Sequence, residues 1–282
     1  GLSPIYGLYT AVISTIVAGM TSSSSMLTVG PTNALSLVVA STLIGFDEAG
    51  QIERLIVLTL LVGIFQLAFG VFKLGMLTRF VSNAVMTGFI TGAGLLIIFG
   101  QLDHMVGIES HGDTVLARLW DWLTHLGDAD LRTTIMGIGA AVIIWALHHT
   151  RFKSVATLVA ITITSGIILL FDWTQVELVR DMAAIPSGLP PFVLPDVAQY
   201  AQSLLPAALA MAVLGSVQSA AITQNVPDRD GTYSDTNQDF SAQGLGNIAG
   251  AFFQGMPACG SLSRTAVNVS AGAQSRMANI YA

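Results

Sequence analysis

Apolar residues run along this chain in long blocks, without the alternation of a half-buried strand or the polar stripe of a surface helix. Blocks at 53–72, 79–100, 132–148 and 154–171 are close to the roughly 20 residues that carry a helix across about 30 Å of hydrocarbon, and each is predicted to cross a membrane. Residues 4–20 and 199–223 are long enough for two more crossings, though more polar. Two further stretches, 27–46 and 240–275, are interrupted by Gly and Pro and read as broken spans. Lipid offers no partner to backbone groups at such a break, so they must face protein or a water-filled cavity. The alternative is a soluble all-helical protein, but soluble helices average about 11–12 residues and carry a polar stripe.

Charge placement orients these blocks. The breaks at 47–54, 101–132 and 172–198 hold thirteen of the seventeen acids, while those at 73–79, 149–153 and 224–239 hold Lys73, Arg79, Arg151, Lys153 and Arg229. The two sets alternate, and the positive-inside rule makes the second set cytoplasmic. Arg54, Arg118, Arg132 and Arg180 lie on the opposite side over longer loops. Segment 103–128 sets Leu and Trp against charges at helical spacing, which suits an amphipathic helix at the interface with Trp120 and Trp122 in the headgroup belt. With 52% hydrophobic and 10% charged residues and a mean hydropathy of +0.68, water is not the main solvent. A net charge of −6 without a basic stripe excludes a nucleic-acid binder. The single Cys259 excludes an internal disulfide, and no Cys/His cluster suggests zinc. The chain opens at Gly1-Leu-Ser-Pro4 and stops at Tyr281-Ala282 inside a helical pattern, so it reads as an internal fragment.

The broken spans carry the candidate chemistry. Thr21-Ser-Ser-Ser-Ser-Met-Leu-Thr-Val-Gly30-Pro31-Thr32-Asn33 precedes the apolar run 34–44. Pro31 suits the first turn of a helix and Thr or Asn can satisfy its free amides, so a helix is expected to start in mid-membrane. Gly255-Met-Pro257-Ala-Cys-Gly260-Ser261-Leu262-Ser263-Arg264 again leads into a new helix, here with a cation one turn in. Each helix N-terminus presents unpaired N–H groups and about +0.5 of a charge, so two converging beside an Arg would hold an anion without a metal or cofactor. Ordinary surface loops are the alternative for both stretches. Enzyme chemistry finds little support. There is no HExxH and no Gly-rich phosphate loop, and His148-His149 reads as a solvated cytoplasmic loop.

Pro4-Ile-Tyr-Gly-Leu-Tyr9-Thr10, Thr28-Val-Gly30-Pro31-Thr32-Asn33, Phe80-Val-Ser82, Gly88-Phe-Ile-Thr-Gly92, Gly100-Gln-Leu102, Ile185-Pro-Ser-Gly-Leu-Pro190, Ala242-Gln-Gly-Leu-Gly-Asn247, Phe252-Phe-Gln-Gly-Met-Pro257 and Ser263-Arg-Thr-Ala-Val-Asn268 together resemble the sulfate permease (SulP) family along essentially the whole chain. The resemblance implies an all-α integral membrane fold of fourteen segments in two inverted repeats of seven. In it, half-helices three and ten face each other across the substrate, and a cytoplasmic STAS domain follows. On that scheme residues 1–282 are a partial transmembrane domain running from segment two into segment ten, without segment one, segments eleven to fourteen or the STAS domain. It also implies a multi-pass protein of the bacterial inner membrane, a homodimer and no cofactor. The substrate is a small inorganic anion, with sulfate first, bicarbonate second, and dicarboxylate or chloride behind. A passive anion channel is the reading from another class.

The same resemblance assigns site residues. Thr32 and Asn33 match half-helix three, and Gly260, Ser261, Leu262 and Ser263 match the start of half-helix ten, where amides and hydroxyls would meet oxyanion oxygens. Thr32 and Asn33 as mere helix caps is the other reading. Arg264 would attract the substrate, or else snorkel to the cytoplasm or pair with an acid such as Asp239. Gln218 sits where many members carry Glu or Asp on segment eight, which puts sodium coupling in doubt; a polar packing contact is the alternative. Ser25 replaces an Arg common in the family.

Overall fold

The computed structural model is mostly helical and describes residues 3–76, 83–108, 115–150, 155–171, 173, 188, 190–228 and 230–281. Helices run over Ile5–Thr21 (α1), Asn33–Leu43 (α2), Glu48–Val71 (α3), Asn83–Val106 (α4), Val115–Thr124 (α5), Leu131–His148 (α6), Ala156–Phe171 (α7), Val197–Asn225 (α8), Thr236–Phe252 (α9), Leu262–Ser270 (α10) and Met277–Tyr281 (α11). Two-residue strands precede α2 and α10, at Val29–Gly30 (β1) and Cys259–Gly260 (β2). Within α3, Ala49–Val71 is long and apolar enough to cross a bilayer, as are α6 and α8, while α1, α2 and α7 are apolar but shorter. Arg79, Phe80–Ser82, Arg151, Lys153, Arg180, Arg229 and most of the Ile185–Pro190 motif lie outside the described residues.

Helix boundaries follow local chemistry. Asp130 caps α6: its carboxylate accepts from the Thr133 hydroxyl and amide, both at 2.7 Å, and these bonds hold its carboxyl below the usual range. Asp196 and Asp235 cap α8 and α9 in the same manner. The stretch 103–128 is not the single amphipathic helix its pattern predicts. Helix α4 continues to Val106, Gly107 takes a φ of +70° that only glycine adopts without strain, and α5 is a separate ten-residue helix. Trp120 on α5 is exposed and Trp122 half-buried. His148 ends α6 and His149 caps it, with Nδ1 2.8 Å from the Trp145 carbonyl, so the pair is an exposed helix end and not a loop.

The chain forms two compact units, residues 88–182 and residues 1–87 with 183–282. In the first, α6 packs on α7, and a Cβ at Gly137 would lie 2.7 Å from the Met105 carbonyl oxygen. In the second, Leu35, Val39 and Leu43 of α2 share a core with Leu55, Leu58 and Val62 of α3 and Leu204, Ala208 and Met211 of α8. Helices α3 and α9 touch backbone to backbone, since a Cβ at Gly63 would stand 2.7 Å from the Ile248 amide and one at Gly244 would stand 2.7 Å from the Gly63 carbonyl. Gly246 and Gly250 face Ser14 of α1, as helix-contact glycines should. Gly88 and Gly92 meet nothing within 4 Å among the described residues.

Candidate functional site

Both interrupted spans resolve into a strand followed by a short helix. β1 and β2 pair antiparallel, Val29 opposite Gly260 and Gly30 opposite Cys259, so α2 and α10 leave one small ladder in opposite directions. At 11 and 9 residues neither helix can cross a bilayer by itself. Thr32 is the N-cap of α2, with φ −130° and ψ 150°, and its Oγ1 accepts from the Leu35 amide at 3.4 Å. Pro31 therefore precedes the cap and is not in the first turn as expected, because Thr32 supplies the side-chain oxygen the helix start needs. Ser261 does the same for α10, its Oγ accepting from the Arg264 amide at 3.4 Å. The two ends repeat one another, each with one orphan amide capped and the amides of the first two helical positions without an intrahelical acceptor.

Unwound backbone at membrane depth must find partners in the protein. Ahead of α10, Thr59 Oγ1 donates to the Gly255 carbonyl at 2.9 Å, and Thr10 Oγ1 stands 2.7 Å from the Met256 amide and 3.0 Å from its carbonyl. The Asn247 side-chain amide accepts from Ala258 N–H at 2.7 Å and donates to its carbonyl at 2.8 Å. Ser219 Oγ accepts from Gly260 N–H at 2.8 Å, Gln218 Nε2 donates to the Gly260 carbonyl at 2.9 Å, and Ser261 N–H donates to the Thr28 carbonyl at 2.9 Å. Ahead of α2, Asn268 and Asn279 donate to the Met26 and Leu27 carbonyls, both at 3.1 Å, Thr265 Oγ1 accepts from Thr28 N–H at 3.1 Å, and Thr15 Oγ1 donates to the Val29 carbonyl at 2.7 Å. These contacts replace helix hydrogen bonds one by one, so the breaks are built features and not surface loops.

Of the residues singled out from sequence, Thr32, Gly260, Ser261, Gln218 and Arg264 gather around the ladder. Thr32 Oγ1 lies 3.3 Å from Cys259 Sγ across it. Ser261 is 4% exposed, while Asn33 and Ser263 are exposed and Ser263 Oγ lies 3.4 Å from Ser261 Oγ. Leu262 turns its side chain into the core of Ala18, Leu27, Val29 and Ile222, leaving only its backbone to the helix end. Arg264 is half-buried and reaches back from the first turn of α10 to β1: a Cβ at Gly30 would lie 3.3 Å from its Nη1 and 3.4 Å from its Cζ. Arg264 forms no ion pair among the described residues, so no carboxylate lies within 4 Å of it there. Asp239, the alternative partner, is occupied by Ser22, Ser23, Ser24 and Ser234 instead. Gln218 Nε2 is tied to the backbone of β2, a strand and not a neighbouring helix. Because the Gly260 carbonyl can only accept, the side-chain oxygen must face away, and it is buried without a partner. Ser25 bonds Asp228 through its amide at 2.9 Å and its hydroxyl at 2.6 Å.

Sequence reasoning missed the residues that hold the ladder: Thr10, Thr15, Thr59, Ser219, Asn247 and Asn279. Their signal was available. Thr59 and Gln66 are isolated polar positions seven apart on one face of the otherwise apolar stretch 55–71 of α3, and Gln66 Oε1 accepts from Asn247 Nδ2 at 2.7 Å. A buried polar side chain in lipid implies a partner, but the pattern cannot say that the partner is backbone many residues away.

The chain matches the Sulfate permease family along residues 1–282. It belongs to that family. Sulfate transporter 4.1, chloroplastic, of Arabidopsis thaliana is 30% identical over 280 residues, covering 95% of this chain and 40% of the relative. Bicarbonate transporter BicA of Picosynechococcus is 27% identical over 284 residues, covering 97% of this chain and 50% of the relative. The solved transmembrane domain of a cyanobacterium bicarbonate transporter BicA superposes with a TM-score of 0.76 at 23% identity, over 99% of this chain and 72% of that one. The chain thus has the helical fold of that domain and is a multi-pass membrane protein, and the relatives it matches are named as transporters. It spans about half the length of the curated relatives.

Proposed function

We propose that the parent protein moves a small inorganic anion, sulfate first, across a bacterial inner membrane by proton symport or anion exchange, and that it does so as a homodimer. Residues 1–282 supply segments two to ten of its transmembrane domain, and Thr32, Asn33, Gln218, Gly260, Ser261, Leu262, Ser263 and Arg264 form the substrate site. The observation that carries this reading is Arg264, a half-buried cation with no carboxylate within reach among the described residues, lying against Gly30 between two helix N-termini. A central Arg costs about 2.5–3.5 kcal/mol to insert, and an anion in the gap would compensate it. Two N-termini at about +0.5 each together with the guanidinium present roughly two positive charges, which matches a doubly charged oxyanion better than a singly charged one. In this role Gln218 holds the Gly260–Ser261 peptide in place and does not touch the anion with an open amide.

Bicarbonate is the second reading, favoured by the likeness to BicA in sequence and fold. Competitive flux into proteoliposomes of the full-length parent, with sulfate, bicarbonate, chloride and fumarate, separates these substrates. Saturable sulfate uptake is expected. Conductance without saturation would replace the carrier by a passive channel.

A further inference from the structure

Among the described residues Asp239 is the one charged side chain buried almost completely, at 1% exposure, and attraction of an anion does not use it. It lies in the first turn of α9, where the helix end favours negative charge. One carboxylate oxygen accepts from the Ser22 hydroxyl at 2.7 Å, the Ser23 amide at 2.9 Å, the Ser23 hydroxyl at 2.8 Å and the Ser24 amide at 3.2 Å. The other accepts from the Ser234 hydroxyl at 2.5 Å. No cation lies within 4 Å of it among the described residues. A buried charge persists only when it is solvated by its surroundings, and here serine donors do that.

Four of those five bonds come from residues 22–24, the strap between α1 and β1. Arg276 fixes the strap from another side by donating to the Ser22 carbonyl at 2.8 Å. Ser24 Oγ in turn accepts from the Met26 amide at 3.2 Å and the Leu27 amide at 3.0 Å, carrying the connection to the residues that enter β1. A strap of four consecutive serines has no strong conformational preference of its own, so its path is set from outside. We propose that Asp239 is a positioning residue for the anion site: by gripping residues 22–24 it fixes the route along which β1 and the start of α2 meet β2. The inference rests on the anion-site reading above.

The test uses full-length protein in proteoliposomes with sulfate as probe. Asp239→Asn keeps the shape and one acceptor oxygen but removes the charge, whereas Asp239→Glu keeps the charge. Loss of charge-assisted hydrogen bonds should raise the sulfate KM about tenfold in Asp239→Asn while the maximal rate per folded transporter holds. Asp239→Glu should recover most of the affinity. Ser24→Ala should raise KM as well, and the double variant with Asp239→Asn should be no worse than the more affected single, because both act through one path. An unchanged KM in Asp239→Asn, even with less folded protein, would make Asp239 a stabilising residue only and overturn the proposal. Equal damage from Glu and Asn, or additive effects in the double variant, would also overturn it. Absence of saturable sulfate uptake by the unmodified protein would remove the anion site itself, and this inference with it.

Discussion

At the scale of single residues, Arg264 and Gln218 act on the same few ångströms by different means. Arg264 contributes a charge, so Arg264→Ala should weaken sulfate binding without impairing insertion, because removing a cation from a membrane segment makes insertion easier. Unchanged transport affinity in that variant would end its electrostatic role. Gln218 contributes a donor to a carbonyl that can only accept. An ionised Glu there would face the Gly260 oxygen with no proton to give, while a protonated Glu could replace the amide. Gln218→Glu should therefore transport poorly at neutral pH and recover as pH falls, because acid restores the donor. A pH profile of uptake identical to that of the unmodified protein would show that the tether does not matter. Ser261, buried at the start of α10, leaves no room for a large side chain, and Ser261→Trp should block uptake. Wild-type rates in that variant would move the site elsewhere.

At the scale of elements, the half-helices depend on helices that carry none of the proposed site residues. α3 and α9 approach so closely at Gly63 and Gly244 that neither tolerates a Cβ without backbone movement. Gly244→Val should cost about 3 kcal/mol or more through overpacking and lower the thermal midpoint of the detergent-solubilised protein. An unshifted midpoint would mean that the two helices separate more readily than their contact implies. Thr59 and Gln66 on α3 and Asn247 on α9 show why the approach must be close: each reaches the 255–258 backbone, or the side chain that does, over a single hydrogen-bond length.

At the scale of the whole molecule, the described residues leave no carboxylate beside the ladder. A hard cation such as sodium is held best where charged oxygens join the neutral ones, and Gln218 offers only a neutral amide oxygen, its nitrogen being tied to the Gly260 carbonyl. A sodium gradient imposed on proteoliposomes should therefore leave sulfate uptake unaltered, whereas a pH gradient or an opposing anion gradient should drive it. Strong sodium stimulation would refute this reading of position 218 and move bicarbonate ahead of sulfate.

The sequence by itself determined that the protein lives in lipid, where its long apolar helices lie and where two spans break. Block length, missing polar stripes and Gly/Pro interruptions are local properties, and solvation in hydrocarbon punishes any other solution. It also marked Thr32, Ser261 and Arg264, since helix starts and intramembrane cations stand out against apolar surroundings. Only the tertiary structure decided that β1 pairs with β2, that Gln218 is a tether, that Arg264 rests on Gly30 and ignores Asp239, and that Asp239 holds the serine strap. Each of those is a contact between residues from about forty to more than two hundred positions apart. Hydrophobic periodicity says which face of a helix is buried, but not which distant backbone group a buried polar side chain will meet.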